Sequence, residues 1–377
     1  MAYHAGRFLD WVTEVFLARD GAPFMLRLPF QRNLIFTANP EHYEHVMKTQ
    51  YDNFLKGDHI YDLLVDLLGD GILTVDGEEW KFHRRVFVNL FSSRALREHM
   101  APIIQKHVLV LQRVLTEATT TKQPVDFFTA AGRFTLDAFG EIAFGFDMDT
   151  LTLIEEHPFE RAFVDAQHIV AARIAVPTWY WKLKRWMNLG TEKQLKDALL
   201  TVDKFNYIPT IQDVQGISYL EATINEALRL FSPVGLAQKL CVRDTVFSDG
   251  TFVPKGTNIA LVYHAMARMP GVWGPDAASF VPERFIDSES GDLVRFSSGK
   301  FSAFNTGPRV CVGRNLAMME MKLVVACVVS RYHLDEVPGQ DVACSGGLTI
   351  GMKNPLMMNV QDISTAESVE LNIGIAG

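Results

Sequence analysis

The sequence FNTGPRVCVG, residues 304–313, decides the fold of this chain. Cys311 stands in a loop that opens a long apolar helix, which the periodicity predicts over residues 317–332. The N-terminus of a helix favours negative charge, so a cysteine placed there is stabilised as a thiolate. Gly307 permits an unusual backbone angle or the close approach of a flat ligand. Arg309 adds a fixed charge to the same loop, and Gly313 keeps the chain small beside the sulfur.

A cysteine taken alone in a loop is most often a small buried side chain. The surrounding pattern argues against that interpretation, because F-x-x-G-x-R-x-C-x-G is filled at Phe304, Gly307, Arg309, Cys311 and Gly313. With this pattern the chain resembles the cytochrome P450 family, in which a cysteine thiolate binds haem iron. The resemblance implies haem b (iron protoporphyrin IX) as the cofactor. It also implies that Cys311 is the axial iron ligand and catalytic residue, and that the other four positions shape the cofactor loop.

A charged pair in NEALRLF supports the same resemblance. Glu226 and Arg229 are three residues apart, so they share one face of a helix predicted over residues 218–231. An isolated pair of this kind contributes little to stability. In the family the pair is joined by an arginine from a later P-E-R-F segment, which corresponds here to Arg284 in FVPERF, residues 280–285. The resemblance therefore implies a structural charge triad that supports the cysteine loop. The predicted helix should turn its apolar positions to a core, namely Leu220, Ile224, Leu228 and Phe231.

Candidate partners for the haem propionates lie elsewhere in the chain. Trp80 and Arg84 form W-x-x-x-R, and both side chains donate hydrogen bonds suited to a carboxylate. The resemblance implies that this pair binds the propionates together with Arg309. Lys239 lies near a position where relatives often carry a propionate-binding arginine, although an ordinary solvated lysine is an equal alternative. His264 is assigned no role.

The composition fits a single globular domain over residues 1–377. The chain is 48% hydrophobic and 21% charged, and no linker, repeat or low-complexity tract divides it. A net charge of -8 without a long basic run argues against nucleic-acid binding. Four cysteines without a C-x-x-C pair are too few for a disulfide framework.

The periodicity predicts a mostly α protein with small β sheets, and the resemblance makes this the cytochrome P450 fold. An amphipathic helix is expected over residues 8–17, and another helix begins at Pro40. The expected β segments are two short strands in 23–29 and 32–40, further strands in 240–260, and a closing hairpin in 346–360.

Two expected departures from the family pattern concern missing helices. No apolar run reaches the ~18 residues of a membrane span, so we expect no N-terminal anchor helix. The central distal helix, which carries A-G-x-[DE]-T-[ST] in relatives, is also expected to be missing, because few residues separate Phe205 from Leu220. A similar A-G-x-x-T occurs at Ala131, Gly132 and Thr135, but it precedes a segment that matches an earlier helix of the family.

Several longer stretches resemble the subgroup that hydroxylates fatty acids, among them YDNFLKG, LGDGILTVDGEEW and TLDAFGEIAFGFD. The resemblance implies a monooxygenase that inserts one oxygen atom from O2 into a C–H bond of an aliphatic substrate, such as a long-chain fatty acid. The resemblance also implies a hydrophobic small-molecule substrate, an NADPH-dependent reductase as electron donor and a location at the endoplasmic reticulum membrane. Because the central helix is missing, a truncated, inactive haem-binding remnant stays open as an alternative. A cysteine-centred hydrolase is disfavoured, since no G-x-S-x-G occurs.

Overall fold

The computed structural model of the chain describes residues 7–27, 32–145, 147–153, 158–173, 176, 178–187, 189–195, 218–345 and 349–363. These residues are mostly helical with small sheets, as the sequence predicts. Within them, no helix has both the length and the apolar character needed to cross a membrane. Most of the segment in which the sequence predicts the missing helix, residues 206–217, lies outside the described residues.

Thirteen helices are described, and local sequence explains where several of them begin. The side chain of Asn39 accepts the N–H of Glu41 at 2.7 Å, and Pro40 occupies the first turn, so the helix predicted from Pro40 forms. The helices are α1 Phe8–Leu17, α2 Pro40–Glu44, α3 Gly57–Leu68, α4 Gly77–Leu90, α5 Ser93–Ala95, α6 Ala101–Thr121, α7 Phe127–Phe144, α8 Pro158–Ala172, α9 Thr178–Trp186, α10 Ser218–Leu230, α11 Tyr263–Met266, α12 Pro270–Trp273 and α13 Arg314–Val329.

Shorter helical turns continue or connect these helices. Two π-helical turns follow α2 and α5, at His45–Thr49 and Leu96–Met100. Turns of 3-10 helix occupy Tyr51–Asn53, Thr150–Thr152, Pro282–Phe285 and Gly307–Arg309. The last of these lies inside the cysteine loop.

The described part of the chain contains twelve short strands in four small sheets. The strands are β1 Phe24–Leu26, β2 Leu34–Thr37, β3 Phe54–Leu55, β4 Val125–Asp126, β5 Ala237–Cys241, β6 Thr245–Val246, β7 Phe252–Val253, β8 Asn258–Leu261, β9 Tyr332–Glu336, β10 Cys344–Ser345, β11 Gly351–Met352 and β12 Met357–Asp362. The largest sheet has the order β1-β2-β8-β5-β3, and only its β2–β8 pair is parallel. The others are β4-β12-β9, β6-β7 and β10-β11.

Two of the hydrophobic cores formed by the described residues adjoin the cysteine loop. One core joins α1, α2 and the five-stranded sheet, and Val12, Phe16 and Tyr43 are almost fully buried in it. The other joins α6, α7 and α13, with Leu111 and Leu316 among its buried side chains. The loop that carries Cys311 contacts the first core at Met47 and continues into α13, whose Leu316 belongs to the second core, so both cores fix its position.

Two predictions about the C-terminal region are wrong in detail. The helix predicted over residues 317–332 is α13, which ends at Val329, and Tyr332 already begins β9. The hairpin predicted within residues 346–360 does not form, because β11 pairs with β10 and β12 pairs with β9 and β4. Both errors arise because distant strands supply the pairing partners, and local periodicity does not identify them.

Candidate functional site

The cysteine loop presents Cys311 to the surface just before α13. The thiol side chain is exposed, and the backbone N–H of Cys311 donates to the carbonyl oxygen of Phe304 at 2.7 Å. This hydrogen bond closes the loop across its 3-10 turn. The first turn of α13 begins three residues after the cysteine, which leaves the positive end of that helix beside the sulfur.

Gly307 is required by the way the loop packs. Its φ is +62°, in the left-handed region. A Cβ added there would collide with the carbonyl oxygen of Met47, in the π-helical turn after α2. The loop therefore lies directly against the backbone of that turn, and only glycine permits this approach.

Gly313 is not required by any protein contact. A Cβ built at Gly313 would have no protein atom within 4 Å, and its φ of -85° suits any residue. The open space at this glycine adjoins the exposed thiol of Cys311. A small residue beside open space fits the flat cofactor that the sequence predicts.

Arg84 contacts the loop from α4. Its Nη1 donates to the carbonyl oxygen of Val310 at 2.7 Å. That carbonyl belongs to the same peptide unit as the Cys311 N–H, so Arg84 and Phe304 hold this unit from its two sides. Arg84, which the sequence predicts as a propionate partner, thus also fixes the backbone next to the sulfur.

Arg309 lies in a buried cluster at the side of the loop. Its Nη2 donates to Asp76 Oδ1 at 2.5 Å and its Nη1 to the carbonyl oxygen of Val75 at 3.3 Å. The guanidinium carbon is 4.0 Å from the centre of the Trp80 ring, within the range of a cation–π contact. Arg309 Nε is buried without a hydrogen-bond partner among the described residues. Lys239 lies near Arg309 in the same cluster. The cluster therefore brings together three of the predicted propionate partners, namely Trp80, Lys239 and Arg309.

Lys239, on β5, is 5% exposed, so the alternative of a solvated surface lysine is wrong. Its pKa is lowered to about 8, chiefly by burial and then by the positive charge of Arg309, while Asp76 opposes both effects. Lys56, which precedes α3, is a half-buried lysine. Its pKa is lowered to about 7, chiefly by loss of solvation and then by the positive charges of Arg309 and Lys239, while Asp76 acts in the opposite direction.

Lys56 and Asp76 are the members of the cluster that the sequence analysis missed. Lys56 Nζ donates to the carbonyl oxygen of Ile72 at 2.9 Å, and Asp76 Oδ2 accepts the backbone N–H groups of Lys56 and Gly57 at 2.8 and 3.1 Å. Lys56 lies in NFLKG, within a stretch that resembles the fatty-acid hydroxylase subgroup, but nothing in its spacing indicates that it joins this cluster.

The charge balance of the cluster fits a dianionic ligand. Lys56, Lys239 and Arg309 surround the single carboxylate of Asp76, so protonated lysines leave an excess of two positive charges. Uncompensated buried charges are costly. The two propionates of haem carry two negative charges, which match this excess. Arg309 Nε, which has no hydrogen-bond partner among the described residues, provides a further donor. The residues present therefore fit haem.

The predicted charge triad forms inside the protein. Arg229 Nε and Nη2 donate to the two carboxylate oxygens of Glu226 at 2.7 and 2.8 Å, and Arg284 Nε donates to Glu226 Oε1 at 3.3 Å. Arg229 also donates to the carbonyl oxygens of Ala267, Ala277 and Ser279. Both members of the helix pair are almost fully buried, so the triad ties α10 to the segment before the cysteine loop.

Two further candidate positions take no part in this site. Thr135 of the A-G-x-x-T sequence donates its hydroxyl to the carbonyl oxygen of Ala131 within the exposed face of α7. His264 lies beside Asp10 and Arg268, near α1, and burial lowers its pKa to about 4.

Known proteins are similar to this chain over most of its length. The family model described as Cytochrome P450 matches residues 17–205 and 187–357. Cytochrome P450 94B1 of Arabidopsis thaliana is 30% identical over 445 aligned positions, which cover 92% of this chain and 87% of that protein. Cytochrome P450 94A1 of Vicia sativa is 28% identical, with 88% of this chain and 83% of that protein covered.

A solved structure shares the fold. The crystal structure of the cytochrome P450DA heme domain superposes with a TM-score of 0.74 at 19% identity, and the match covers 94% of this chain and 93% of that one. Together with the family match over most of the sequence, this likeness leads to one conclusion. The chain belongs to the cytochrome P450 family of haem-dependent monooxygenases.

Proposed function

We propose that this protein inserts one oxygen atom from O2 into a C–H bond of an aliphatic substrate, with Cys311 as the axial ligand of haem iron. The observation that carries the proposal is the exposed thiol of Cys311 beside the open space at Gly313. The peptide unit that precedes this thiol is fixed by hydrogen bonds to Arg84 and Phe304. When bound, haem supplies the activation of dioxygen, which its thiolate ligand favours.

The residues of this chain bind and orient the cofactor. The thiolate of Cys311 binds iron, and the N-terminus of α13 stabilises its negative charge. Lys56, Lys239 and Arg309 receive the propionates, while Trp80 supports the Arg309 guanidinium. Asp76 partly offsets the mutual repulsion of these cations.

A hydrophobic substrate fits the loop that borders the cation cluster. The carbonyl oxygens of Ile72 and Val75 accept hydrogen bonds from the cluster, and Leu73 between them is 60% exposed. Leu73 offers one apolar contact beside the proposed cofactor partners. The resemblance of the surrounding stretch to fatty-acid hydroxylases favours a long-chain fatty acid. We also propose an NADPH-dependent reductase as electron donor and a location at the endoplasmic reticulum membrane.

Turnover by the purified 377-residue chain tests this function. The chain, loaded with haem, is incubated with a reductase, NADPH, isotopically labelled O2 and a series of saturated fatty acids. A hydroxylated product that contains one labelled oxygen atom supports the proposal. A haem-loaded, reducible protein that gives no oxygenated product with any member of the series would contradict it.

A second candidate function is a haem-binding remnant that no longer couples oxygen activation to hydroxylation. The family model matches this chain in two pieces that meet at residues 187–205. The aligned length of 445 positions also exceeds the 377 residues of the whole chain, so the relative contains stretches that this chain lacks. Both observations favour the missing central helix that the sequence predicts between Phe205 and Leu220.

The length of the connection explains why a missing helix would matter. A helix rises 1.5 Å per residue, so about 20 residues are needed to cross a domain of ~30 Å. Without a distal wall, water reaches the cofactor, and the residues that deliver protons to bound oxygen are lost. Positioned proton transfer typically contributes ~100- to 10,000-fold. The same incubation separates the two candidates, because the remnant should consume NADPH and release peroxide, whereas the intact activity yields product in proportion to NADPH.

A further inference from the structure

The backbone of Asn305 adopts a conformation that few residues tolerate. Its φ is +63°, in the left-handed region, where asparagine is enriched among residues other than glycine. Its side-chain Oδ1 accepts the N–H of Thr306 at 3.0 Å and the hydroxyl of Tyr43 at 2.8 Å. The second of these hydrogen bonds comes from α2, so the loop conformation at Asn305 is anchored outside the loop.

Asn305 directly follows the carbonyl that receives the N–H of Cys311. That carbonyl belongs to the peptide bond between Phe304 and Asn305, and it accepts the Cys311 N–H at 2.7 Å. The backbone conformation of Asn305 therefore sets the direction in which the Phe304 carbonyl points. A change at Asn305 is transmitted through one hydrogen bond to the peptide that carries the cysteine.

Tyr43 is well suited to hold this conformation. Its side chain is 1% exposed, in a helix whose N-terminus is capped by Asn39. Burial, aided by Tyr263 and Glu44, raises the pKa of its hydroxyl far above the ordinary value. The hydroxyl therefore remains a hydrogen-bond donor at every pH at which the protein folds. The loop also rests on the turn that follows α2, through the close approach of Gly307 to Met47.

We propose that Tyr43 is a positioning residue for Cys311, acting through Asn305 and the Phe304 carbonyl. The proposal rests on the proposed role of Cys311 as iron ligand. Groups that orient a metal ligand from the next layer typically change metal affinity or activity 10- to 100-fold when they are removed. Tyr43 touches neither the cysteine nor the cofactor partners, so its effect is expected on the geometry of the thiolate and not on the propionates.

The core contains a matched control for the Tyr43 hydroxyl. The ring of Tyr263 contacts that of Tyr43 edge to face, with 5.6 Å between the ring centres. Tyr263 is 7% exposed, and its hydroxyl is buried without a hydrogen-bond partner among the described residues. Tyr263→Phe therefore removes the same atom from the same core without removing a contact to the cysteine loop.

The experiment compares Tyr43→Phe, Asn305→Gly, the double variant and Tyr263→Phe with the wild type, all as haem-loaded full-length chains. Glycine accepts the left-handed backbone, so Asn305→Gly removes only the hydrogen-bonding side chain. Two properties are measured: the fraction of the reduced carbon monoxide complex with a thiolate-type Soret band, and the rate of haem loss to an acceptor protein. Unfolding of each apoprotein separates a general loss of stability from an effect on the ligand.

We expect Tyr43→Phe and Asn305→Gly each to lower the thiolate fraction and to speed haem loss roughly tenfold. The double variant should be no worse than Asn305→Gly alone, because that variant already removes the hydrogen bond from Tyr43. Tyr263→Phe should match the wild type. A wild-type thiolate fraction and haem-loss rate in Tyr43→Phe would overturn the proposal. If Tyr43→Phe does not fold, a wild-type result for Asn305→Gly overturns it equally. Loss of the thiolate band in the wild type itself would instead overturn the assignment of Cys311.

Discussion

Arg84 Nη1 donates a hydrogen bond to the carbonyl oxygen of Val310 at 2.7 Å. Because that carbonyl and the N–H of Cys311 belong to one peptide unit, an arginine on α4 orients the backbone that precedes the sulfur. The sequence pattern W-x-x-x-R predicts only a propionate partner at this position. The structure adds a contact that exists without the cofactor.

Removal of Arg84 should weaken haem retention more than removal of a surface arginine does. Hydrogen bonds to charged groups are worth ~1.5–3 kcal/mol, so Arg84→Ala should speed haem loss by roughly tenfold or more. Arg85→Ala is the matched control, since Arg85 is the exposed neighbour on the same helix. Haem transfer to an acceptor protein measures both variants. Equal retention by Arg84→Ala and Arg85→Ala would show that the contact with Val310 contributes nothing.

The two glycines of the cysteine loop should respond differently to alanine. Gly307→Ala places a Cβ against the Met47 carbonyl in a left-handed backbone, so the apoprotein itself should be destabilised, by ~1–3 kcal/mol or more. Gly313→Ala meets no protein atom, so the apoprotein should be unaffected while haem binding falls.

Chemical unfolding of the apoproteins and haem titration measure these effects separately. Equal apoprotein stability in the two variants would disprove the packing role of Gly307. Wild-type haem affinity in Gly313→Ala would show that the open space beside Cys311 does not receive the cofactor.

The half-buried lysine Lys56 should couple haem binding to pH. Burial lowers its pKa to about 7 without haem, and a bound propionate would raise that pKa. Below pH 7 the lysine is already charged, so its full contribution to haem affinity is present. Above pH 7 the apoprotein loses this proton and must regain it on binding, so the contribution falls by up to about tenfold per pH unit.

The ratio of haem affinities between the wild type and Lys56→Met isolates this effect from the ionisation of Cys311, which both proteins share. Haem titrations across about pH 6 to 9, a range that includes the lowered pKa of Lys56, should give a ratio that is largest at the acid end. A ratio that does not change with pH would place Lys56 away from the propionates.

Glu226 should be essential for folding and not for chemistry. It accepts hydrogen bonds from Arg229 and Arg284 and from the backbone N–H of Val281, all inside the protein. Removing one partner of a buried ion pair costs ~3–5 kcal/mol, so Glu226→Ala should give unfolded or haem-free protein. Glu289→Ala, at an exposed loop position, should behave as the wild type. A folded, haem-loaded Glu226→Ala that had lost only turnover would contradict the structural role.

The sequence predicted the cysteine loop and the fold class because each rests on a fixed pattern. The partners of the propionates depend on burial, which spacing does not determine, so Lys56 and Asp76 were missed. Burial on helix α10 was likewise not predictable from the spacing of its residues. Its predicted core position Phe231, just past its end, is 60% exposed, whereas Glu226 and Arg229 are buried, because the P-E-R-F segment packs on the charged face.

The central claim is that Cys311 binds haem iron as a thiolate. The most direct test is the carbon monoxide difference spectrum of the reduced, haem-loaded chain, compared with Cys311→Ala and Cys344→Ala. Both cysteines are exposed, so the second variant controls for the loss of a surface thiol. We predict a thiolate-type Soret band in the wild type and in Cys344→Ala, and its complete loss in Cys311→Ala. Persistence of that band in Cys311→Ala would show that another group ligates the iron.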